Sequence, residues 1–405
     1  MRLRIAQPAD VPLNRLGFTA NGDWQPGPLA PLPEVRQHAS WSHVVLADLK
    51  PSAAPMTSDS PRDLSLPKIP IYHVGASFPM AIARRTGRRG YELLQAATAN
   101  VPPRVLRVVD RLSRSWLDRN RSPYLTEIDA LAEKSHAVGL YYLNVSYEFG
   151  CTTAAIPAPS GGTALLQRTL DWNVNGIGQH VVAARIANPL GQWISLTWPA
   201  YTGVIQALAP GRFAAAINQP APASRTGLLT VDRWLAMLPS VNSSNVQPIH
   251  LLRRVFETAA DFATARTMLE TTPITAPAIF TLAGIRADEA VVIERKATAF
   301  QVIGDACAAN EWQHPDWQPR QHKAFENDAR RAAMRTASRE WDPEFGWLVW
   351  PLLNDETRLA MLAEPATGRL MVRGYEGGKV ATQTLMIEPR QRQSHVHSAA
   401  PLTHD

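Results

Sequence analysis

The sequence predicts an α+β fold in which β-sheets are sandwiched between layers of helices. Three features of the 405-residue chain indicate this class. Apolar residues recur at helical spacing before residue 136, β-branched and aromatic runs follow Cys151, and helical segments then alternate with strands. Because the apolar side of a sheet must be buried, this order favours sheets covered by helices.

The region before Cys151 divides into two parts. The first seventy residues are rich in proline and predict loops around short strands, such as one at residues 42–46. From Pro79 to about His136, apolar residues at helical spacing predict two or three helices, with a break at Ser122-Pro123.

The region after Cys151 predicts strands, two helices and a frayed end. Helical spacing marks residues 249–269 and 325–338. Strands are predicted at residues 163–168, 180–186, 193–198, 213–217, 278–282, 290–294, 300–303, 347–351 and 368–373. The tail from Glu388 is predicted to be frayed.

Composition and charge exclude several classes of protein. With 45% hydrophobic and 19% charged residues, the chain is not disordered, and its two cysteines are too few for a disulfide framework. The net charge is +6, but the arginines are spread along the chain, so no nucleic-acid partner is predicted. Neither a signal peptide nor a transmembrane run is visible, so we expect a cytoplasmic protein. Nothing indicates a peripheral membrane contact, although the sequence leaves one open.

Cys151 begins an apolar run and is preceded by Gly150, which removes side-chain hindrance at the preceding carbonyl. A cysteine in such a context is usually a small core residue. Arg168 follows on a predicted strand, and an arginine beside a cysteine favours the thiolate. Asp171 lies three residues further on and would face the other side of a regular strand unless the chain bends at 170–171. A surface ion pair is the alternative for Arg168 and Asp171.

These motifs resemble a known family. Cys151-Thr-Thr, followed by Arg168-Thr-Leu-Asp171-Trp, is similar to the start of the mature catalytic subunit in the acid ceramidase and N-acylethanolamine acid amidase family. That family consists of N-terminal nucleophile (Ntn) hydrolases and is related to choloylglycine hydrolase, penicillin V acylase and isopenicillin N acyltransferase. Further matching segments, from about residue 123 to 334, follow in the family's order and include Pro210-Gly-Arg-Phe-Ala-Ala-Ala-Ile-Asn218 and Asn310-Glu-Trp.

The resemblance implies a fold and a maturation step. The fold would be a four-layer αββα sandwich, with two antiparallel sheets between helical layers and a mainly helical segment before it. Residues 1–150 would be a propeptide or α-subunit, and residues 151–405 the catalytic β-subunit. The cysteine would attack the carbonyl before it and cut Gly150–Cys151, leaving the two parts associated as one folded unit. The new α-amine, with a pKa of about 7.7–8, would suit a general base, so no histidine is required.

The resemblance also implies roles for five residues. Cys151 would be the nucleophile and, through its amine, the base. Arg168 would steady the thiolate, Asp171 would hold the α-ammonium, and Asn310 would offer its side-chain amide to the oxyanion. Arg330 would lie near the site, with Arg331 as the alternative register. A plain turn residue is the alternative for Asn310.

Three features modify this assignment. Gln219 stands where the family carries a glutamate, and a neutral amide cannot accept a proton, so acid-triggered processing is doubtful; Asn218 is the alternative there. An insertion at residues 313–323 lengthens the gap between Asn310 and Arg330 and weakens that assignment. Trp172 is a candidate for the pocket, with a core position as its alternative.

The expected activity is hydrolysis of a linear, non-peptide N-acyl amide through an acyl thioester on Cys151. The expected partner is a small-molecule amide. No cofactor or metal is expected, because the eleven histidines are scattered without metal-ligand spacing. Two alternatives remain: an acyltransferase that passes the acyl group to an amine, and an unprocessed relative that only binds an acyl ligand.

Overall fold

A computed structural model of the chain describes residues 65–99, 101–145, 149–159, 161–222, 224, 226, 245–317 and 326–388. The predicted strand at residues 42–46 and the predicted frayed tail beyond residue 388 lie outside these ranges. No described helix is long and apolar enough to cross a bilayer.

Helices dominate the described part of the chain before Cys151. After strand β1 (Ile71–Val74) come α1 (Phe78–Thr86), α2 (Arg88–Thr98), α3 (Pro103–Arg119), α4 (Leu125–Ser135) and α5 (Leu140–Val145). The region 79–136 therefore holds four helices, and the prediction of two or three was wrong. Gly87 separates α1 from α2 with a positive φ of 33°, which ordinary residues adopt only with strain.

The first sheet has eight strands in the order β1-β4-β5-β6-β7-β8-β9-β10. Its members after β1 are β4 (Val182–Asn188), β5 (Gly191–Thr197), β6 (Gln206–Ala209), β7 (Phe213–Asn218), β8 (Ala278–Ala283), β9 (Ala290–Arg295) and β10 (Phe300–Ile303). All of its pairs are antiparallel except β1 with β4, which is parallel.

The second sheet runs β11-β2-β3-β12-β13-β14, with β15 also paired to β13. Its members are β2 (Phe149–Pro157), β3 (Ala164–Trp172), β11 (Cys307–Ala308), β12 (Thr357–Glu364), β13 (Arg369–Glu376), β14 (Lys379–Val380) and β15 (Leu385–Ile387). Every pair in it is antiparallel.

The two sheets stack face to face between helices. Strands β2 and β3 pack against β7 and β8. On the outer side of the first sheet, α6 (Pro248–Thr258) packs on β7 and α7 (Phe262–Thr271) on β8; on the outer side of the second sheet, α8 (Asn327–Thr336) packs on β2 and β11. This is the predicted α+β sandwich of two sheets between helical layers.

Two predicted elements differ from the structure, and one long buried strand was not predicted. The helix at residues 249–269 is two helices, because Asp261 caps the start of α7 by accepting a hydrogen bond from Thr264 N. The strand at residues 347–351 was wrong: this segment forms turns, and Pro351 has no N–H for a strand ladder. The buried strand β12 was missed because its Ala, Leu and Met residues show no alternation and favour helix.

A buried arginine joins the helices before Cys151 to those after it. Arg253 of α6 pairs with Glu127 of α4 and with Glu257 on its own helix. Its guanidinium also lies 3.9 Å from the centre of the Tyr124 ring and 4.6 Å from that of Phe78. Because both carboxylates are largely buried, loss of the arginine would leave their charges without compensation.

We therefore expect Arg253→Met to lower the free energy of unfolding by about 3–5 kcal/mol. The measurement is urea denaturation followed by circular dichroism. Arg266→Met is the matched control, because Arg266 makes the same i,i+4 pair with Glu270 at a side chain that is 42% exposed. It should cost less than about 1 kcal/mol. Equal losses for the two variants would contradict the importance of the buried cluster.

Candidate active site

The predicted cleavage bond lies inside a strand. β2 runs through Gly150 and Cys151 without interruption and pairs with β3, so that Gly150 faces Asp171 and Cys151 faces Leu170. Cys151 is fully buried, and both cysteines of the chain are free. Because successive residues of a strand point to opposite faces, Gly150 borders one face of the sheet and the Cys151 side chain lies on the other.

One face of the strand pair carries the thiol. Cys151 and Leu170 are opposite each other, and Arg168 and Trp172 lie on the same face, two positions to either side of Leu170. The Arg168 Nη2 donates to the Cys151 Sγ at 2.7 Å, and its Nη1 donates to the carbonyl of Ile205 at 3.0 Å. The structure therefore brings the predicted arginine and cysteine into direct contact.

Burial decides the protonation state of this thiol. It raises the pKa of Cys151 to about 11, an effect larger than the lowering caused by the positive charge of Arg168, while Asp171 raises the pKa further. At neutral pH the intact chain therefore holds a thiol. Arg168 does favour the thiolate, as expected, because its charge and its hydrogen bond lower the thiol pKa, but in the intact chain burial outweighs this effect.

The other face of the strand pair carries an ion pair. The Asp171 Oδ2 accepts a hydrogen bond from Arg330 Nη1 at 2.9 Å, and its Oδ1 accepts one from Thr357 Oγ1, also at 2.9 Å. Burial raises the pKa of Asp171, whereas Arg330 and Thr357 oppose this rise. Both charged side chains are about 3% exposed. Arg168 is also buried and lies on the opposite face, so Arg168 and Asp171 do not form a surface ion pair.

No bend brings Arg168 and Asp171 together, because β3 continues to Trp172. The two residues stay on opposite faces, as a regular strand requires. They still belong to one site. Arg168 contacts the Cys151 side chain on one face of the strand pair, and Asp171 lies opposite Gly150 on the other face. The predicted bend was therefore unnecessary.

Asn310 contacts the backbone nitrogen of Cys151. Its Oδ1 accepts hydrogen bonds from Cys151 N at 2.7 Å and from Arg330 Nη2 at 2.8 Å, while its Nδ2 donates to the carbonyl of Gln219 at 2.7 Å. In the intact chain the amide oxygen thus faces the nitrogen that cleavage would release. Arg331 instead pairs with Glu311 and Asp328, so the structure selects Arg330 as the arginine at the site.

The same hydrogen bond fixes the direction of the Gly150 carbonyl. In a trans peptide the C=O and the following N–H point to opposite sides. Because the Cys151 N–H points to Asn310, the Gly150 C=O points towards β3, where Asp171 is its partner in the register. The N–H of Trp172 bonds to Glu356, so the N–H of Asp171 faces β2. This N–H and the Gly150 carbonyl oxygen therefore face each other.

The three further candidates have different surroundings. The Nδ2 of Asn218 donates to Thr153 Oγ1 at 3.2 Å and to the carbonyls of Ala308, at the end of β11, and Ala309, so Asn218 connects the two sheets. Gln219 reaches the site through its carbonyl, which binds Asn310. Trp172 is buried edge-to-face against Trp198, with ring centres 5.6 Å apart.

An apolar pocket lies beside Trp172. It is lined by Leu93, Ala97, Leu143, Trp172, Val174, Ile177, Trp198 and Tyr201. Trp172 therefore belongs to both the core and the pocket wall. Since it shares a strand face with Arg168, the pocket lies on the thiol side of the sheet.

Two residues of the site were missed by the sequence prediction. Thr357 holds Asp171, and Asn327 accepts from Arg330 Nη2 at 2.8 Å. Asn327 stands at the start of a predicted helix, where asparagine is common for local reasons, and Thr357 lies where no element was predicted. Among the described residues, no group of three or more His, Cys, Asp or Glu side chains could hold a metal ion.

No family model and no curated protein matches this chain. Solved structures do match, among them a Caenorhabditis elegans N-acylethanolamine-hydrolyzing acid amidase ortholog, at 18% identity and a TM-score of 0.43 over 58% of this chain and 100% of that chain. A conjugated bile acid hydrolase mutant from Clostridium perfringens matches at 10% identity and a TM-score of 0.29, over 59% and 92%. Penicillin V acylase from Agrobacterium tumefaciens matches at 9% identity and 0.31, over 59% and 86%.

The space beside Gly150 yields a test of the site's packing. A Cβ at this position would lie 3.2 Å from the Cβ of Asp171 and 3.6 Å from the Nη1 of Arg330. We expect Gly150→Ala to cost about 1–3 kcal/mol of unfolding free energy, because the buried ion pair must shift.

The measurement is urea denaturation in a Cys151→Ala background, which keeps the chain intact. Gly304→Ala is the control, since nothing lies within 4 Å of a Cβ there. If Gly150→Ala lost no more stability than the control, the ion pair would leave room for a Cβ at position 150.

Proposed function

We propose that this chain is a cysteine-dependent Ntn amidohydrolase that cuts its own Gly150–Cys151 bond and then hydrolyses linear N-acyl amides. One observation carries the proposal. The thiol of Cys151 contacts Arg168, and the backbone nitrogen of the same residue contacts Asn310. The two groups that an N-terminal nucleophile uses, the sulfur and the future amine, thus have separate polar partners before the bond is cut.

Self-cleavage in this proposal begins at the buried thiol. Cys151 gives its proton to solvent hydroxide, and its sulfur forms a bond with the Gly150 carbonyl carbon, whose oxygen becomes an oxyanion. The bond between the Gly150 carbonyl carbon and the Cys151 nitrogen then breaks. The nitrogen takes up a proton from solvent and becomes the α-amine of Cys151. Water hydrolyses the resulting thioester, which releases the Gly150 carboxylate and restores the thiol. Each step conserves atoms and needs no external oxidant or reductant.

The surroundings of the bond favour this step. The Gly150 carbonyl oxygen faces the N–H of Asp171, a donor fixed by the strand pairing of β2 and β3. Such a donor is worth about 3 kcal/mol when it meets a developing oxyanion. The leaving nitrogen is held by Asn310, which is itself bound by Arg330.

Amide hydrolysis would then use the amine as the base. The α-amine takes the thiol proton, the thiolate attacks the acyl carbonyl, and the leaving amine receives the proton. Water completes the cycle by hydrolysing the acyl thioester. Arg330 contacts the same Asn310 oxygen as the Cys151 nitrogen, and its positive charge favours the neutral amine, which is the form that accepts a proton.

The apolar side chains around Trp172 favour a substrate with an apolar acyl group. They lie on the same side of the sheet as the thiol. The cavity between them has room for about one water molecule, so an acyl chain would enter only after these side chains move.

The central experiment is intact-mass measurement of the purified protein. We expect two polypeptides, residues 1–150 and 151–405, that stay together on gel filtration. Cys151→Ala should give one uncut chain, whereas Cys307→Ala should be cut like the wild type, because Cys307 lies on β11 with its sulfur at the Arg331 carbonyl. An uncut wild-type chain, or a cut Cys151→Ala chain, would contradict the proposal.

A panel of N-acyl amides separates the remaining alternatives. Release of free acid, together with an acyl adduct on the peptide that starts at Cys151, supports hydrolysis. Transfer of the acyl group to an added amine in preference to water supports an acyltransferase. An uncut chain that binds the amides without acylation supports a ligand-binding protein.

The raised thiol pKa predicts how self-cleavage depends on pH. The attacking form is the thiolate, and with a pKa of about 11 its fraction rises about tenfold for each pH unit from 7 to 10. The first-order rate should rise accordingly in freshly refolded precursor, as measured by gel densitometry.

Folded-state stability changes in the opposite direction. The unfolded chain loses the thiol proton near its usual pKa, below that of the folded chain, so this contribution to stability is lost as pH rises through about 11. Circular dichroism at each pH checks that the precursor remains folded. A rate that is greatest near pH 5 would show that another group controls the step.

A further inference from the structure

Asn327, the first residue of α8, holds two members of the site at once. Its side-chain oxygen accepts a hydrogen bond from Arg330 Nη2 at 2.8 Å and one from the backbone nitrogen of Asn310 at 3.2 Å. The side chain is buried. We infer that Asn327 is a positioning residue for the cleavage of the Gly150–Cys151 bond, an inference that rests on the proposed function.

The contacts form a closed ring. Arg330 Nη2 donates to Asn310 Oδ1 and to Asn327 Oδ1, and the backbone nitrogen of Asn310 returns to the same Asn327 oxygen. The planar guanidinium of Arg330 also donates to Asp171 through Nη1. Asn327 therefore fixes the plane of Arg330 and the start of the Asn310 side chain together.

The position of Asn327 along the chain gives this ring its importance. Asn310 and Asn327 are 17 positions apart, and the segment between them includes the insertion at residues 313–323. The insertion was expected to weaken the link between Asn310 and Arg330. Those side chains nevertheless meet at 2.8 Å, and Asn327 is the residue that contacts both.

Loss of this contact should misplace the group at the leaving nitrogen. Asn310 Oδ1 lies 2.7 Å from Cys151 N and is oriented by Arg330. Without Asn327, Arg330 Nη2 and the N–H of Asn310 lose their shared acceptor, so the plane of Arg330 and the position of Asn310 lose one of the hydrogen bonds that fix them. A displacement of about 1 Å can slow a positioned reaction about a hundredfold.

Self-cleavage is the best readout, because the chain supplies its own substrate. In freshly refolded precursor, we expect Asn327→Ala to slow the first-order rate by about ten- to a hundredfold. Asp328→Ala is the matched control. Asp328 makes the same i,i+3 contact on the same helix, to Arg331, but its side chain is 86% exposed and outside the site. This control should cleave within about twofold of the wild type.

A conservative variant separates positioning from folding. Asn327→Asp keeps an oxygen acceptor of the same length, so it should cleave within about fivefold of the wild type. Thermal unfolding of each precursor is measured in a Cys151→Ala background. A slow Asn327→Ala variant together with a fast Asn327→Asp variant supports the inference even if Asn327→Ala is less stable.

Three outcomes overturn the inference, and they differ in what else they overturn. If Asn327→Ala cleaves as fast as Asp328→Ala, only the role of Asn327 fails. If Asn327→Asp is as slow as Asn327→Ala while its unfolding midpoint equals that of the wild type, an acceptor at this position is not what the step needs. If the wild type itself does not cleave, the proposed function fails as well.

Discussion

The hydrogen bond from the Cys151 nitrogen to the Asn310 side-chain oxygen determines the arrangement of the whole site. Backbone pairing between β11 and β2 stops at Ala308 and Thr153. Beyond that point the Asn310 side chain takes the place of a strand partner for β2. Because a peptide group is planar, the same bond turns the Gly150 carbonyl towards β3. One side chain thus orients the nitrogen and the carbonyl of the bond proposed to be cut, and Arg330 binds the oxygen that does so.

Burial and charge compete at the thiol, and burial is stronger. Arg168 lies in contact with the sulfur, yet the pKa of Cys151 is raised to about 11, because a fully buried thiolate loses its hydration. The intact chain therefore keeps the nucleophile in its unreactive form while holding its partner in place. Cleavage would separate Gly150 from Cys151. Water that then entered would weaken the effect of burial on the thiol pKa, while Arg168 would stay in contact with the sulfur.

The sequence allowed the sandwich and the main site residues to be predicted, but not their contacts. Cys151, Arg168, Asp171, Asn310 and Arg330 come together because short motifs mark them and the two sheets bring them close. Thr357 and Asn327 could not be recognised, since their role depends on β12 and α8 lying beside β3 and β2. The strand β12 itself was missed because a fully buried strand lacks the alternation that marks a half-buried one.

The geometry of a strand would let one residue supply both the nucleophile and the base of the proposed reaction. On β2 the thiol of Cys151 points to the face with Arg168, whereas its nitrogen lies in the plane of the sheet, towards Asn310. The ion pair of Asp171 and Arg330 occupies the remaining face, against Gly150, where an added Cβ would lie 3.2 Å from the Cβ of Asp171. The two groups of Cys151 therefore have different hydrogen-bond partners, while the charges of Asp171 and Arg330 act on the thiol as well. The interior of a helix could not separate them in this way, because backbone nitrogens beyond the first turn are bound within the helix itself.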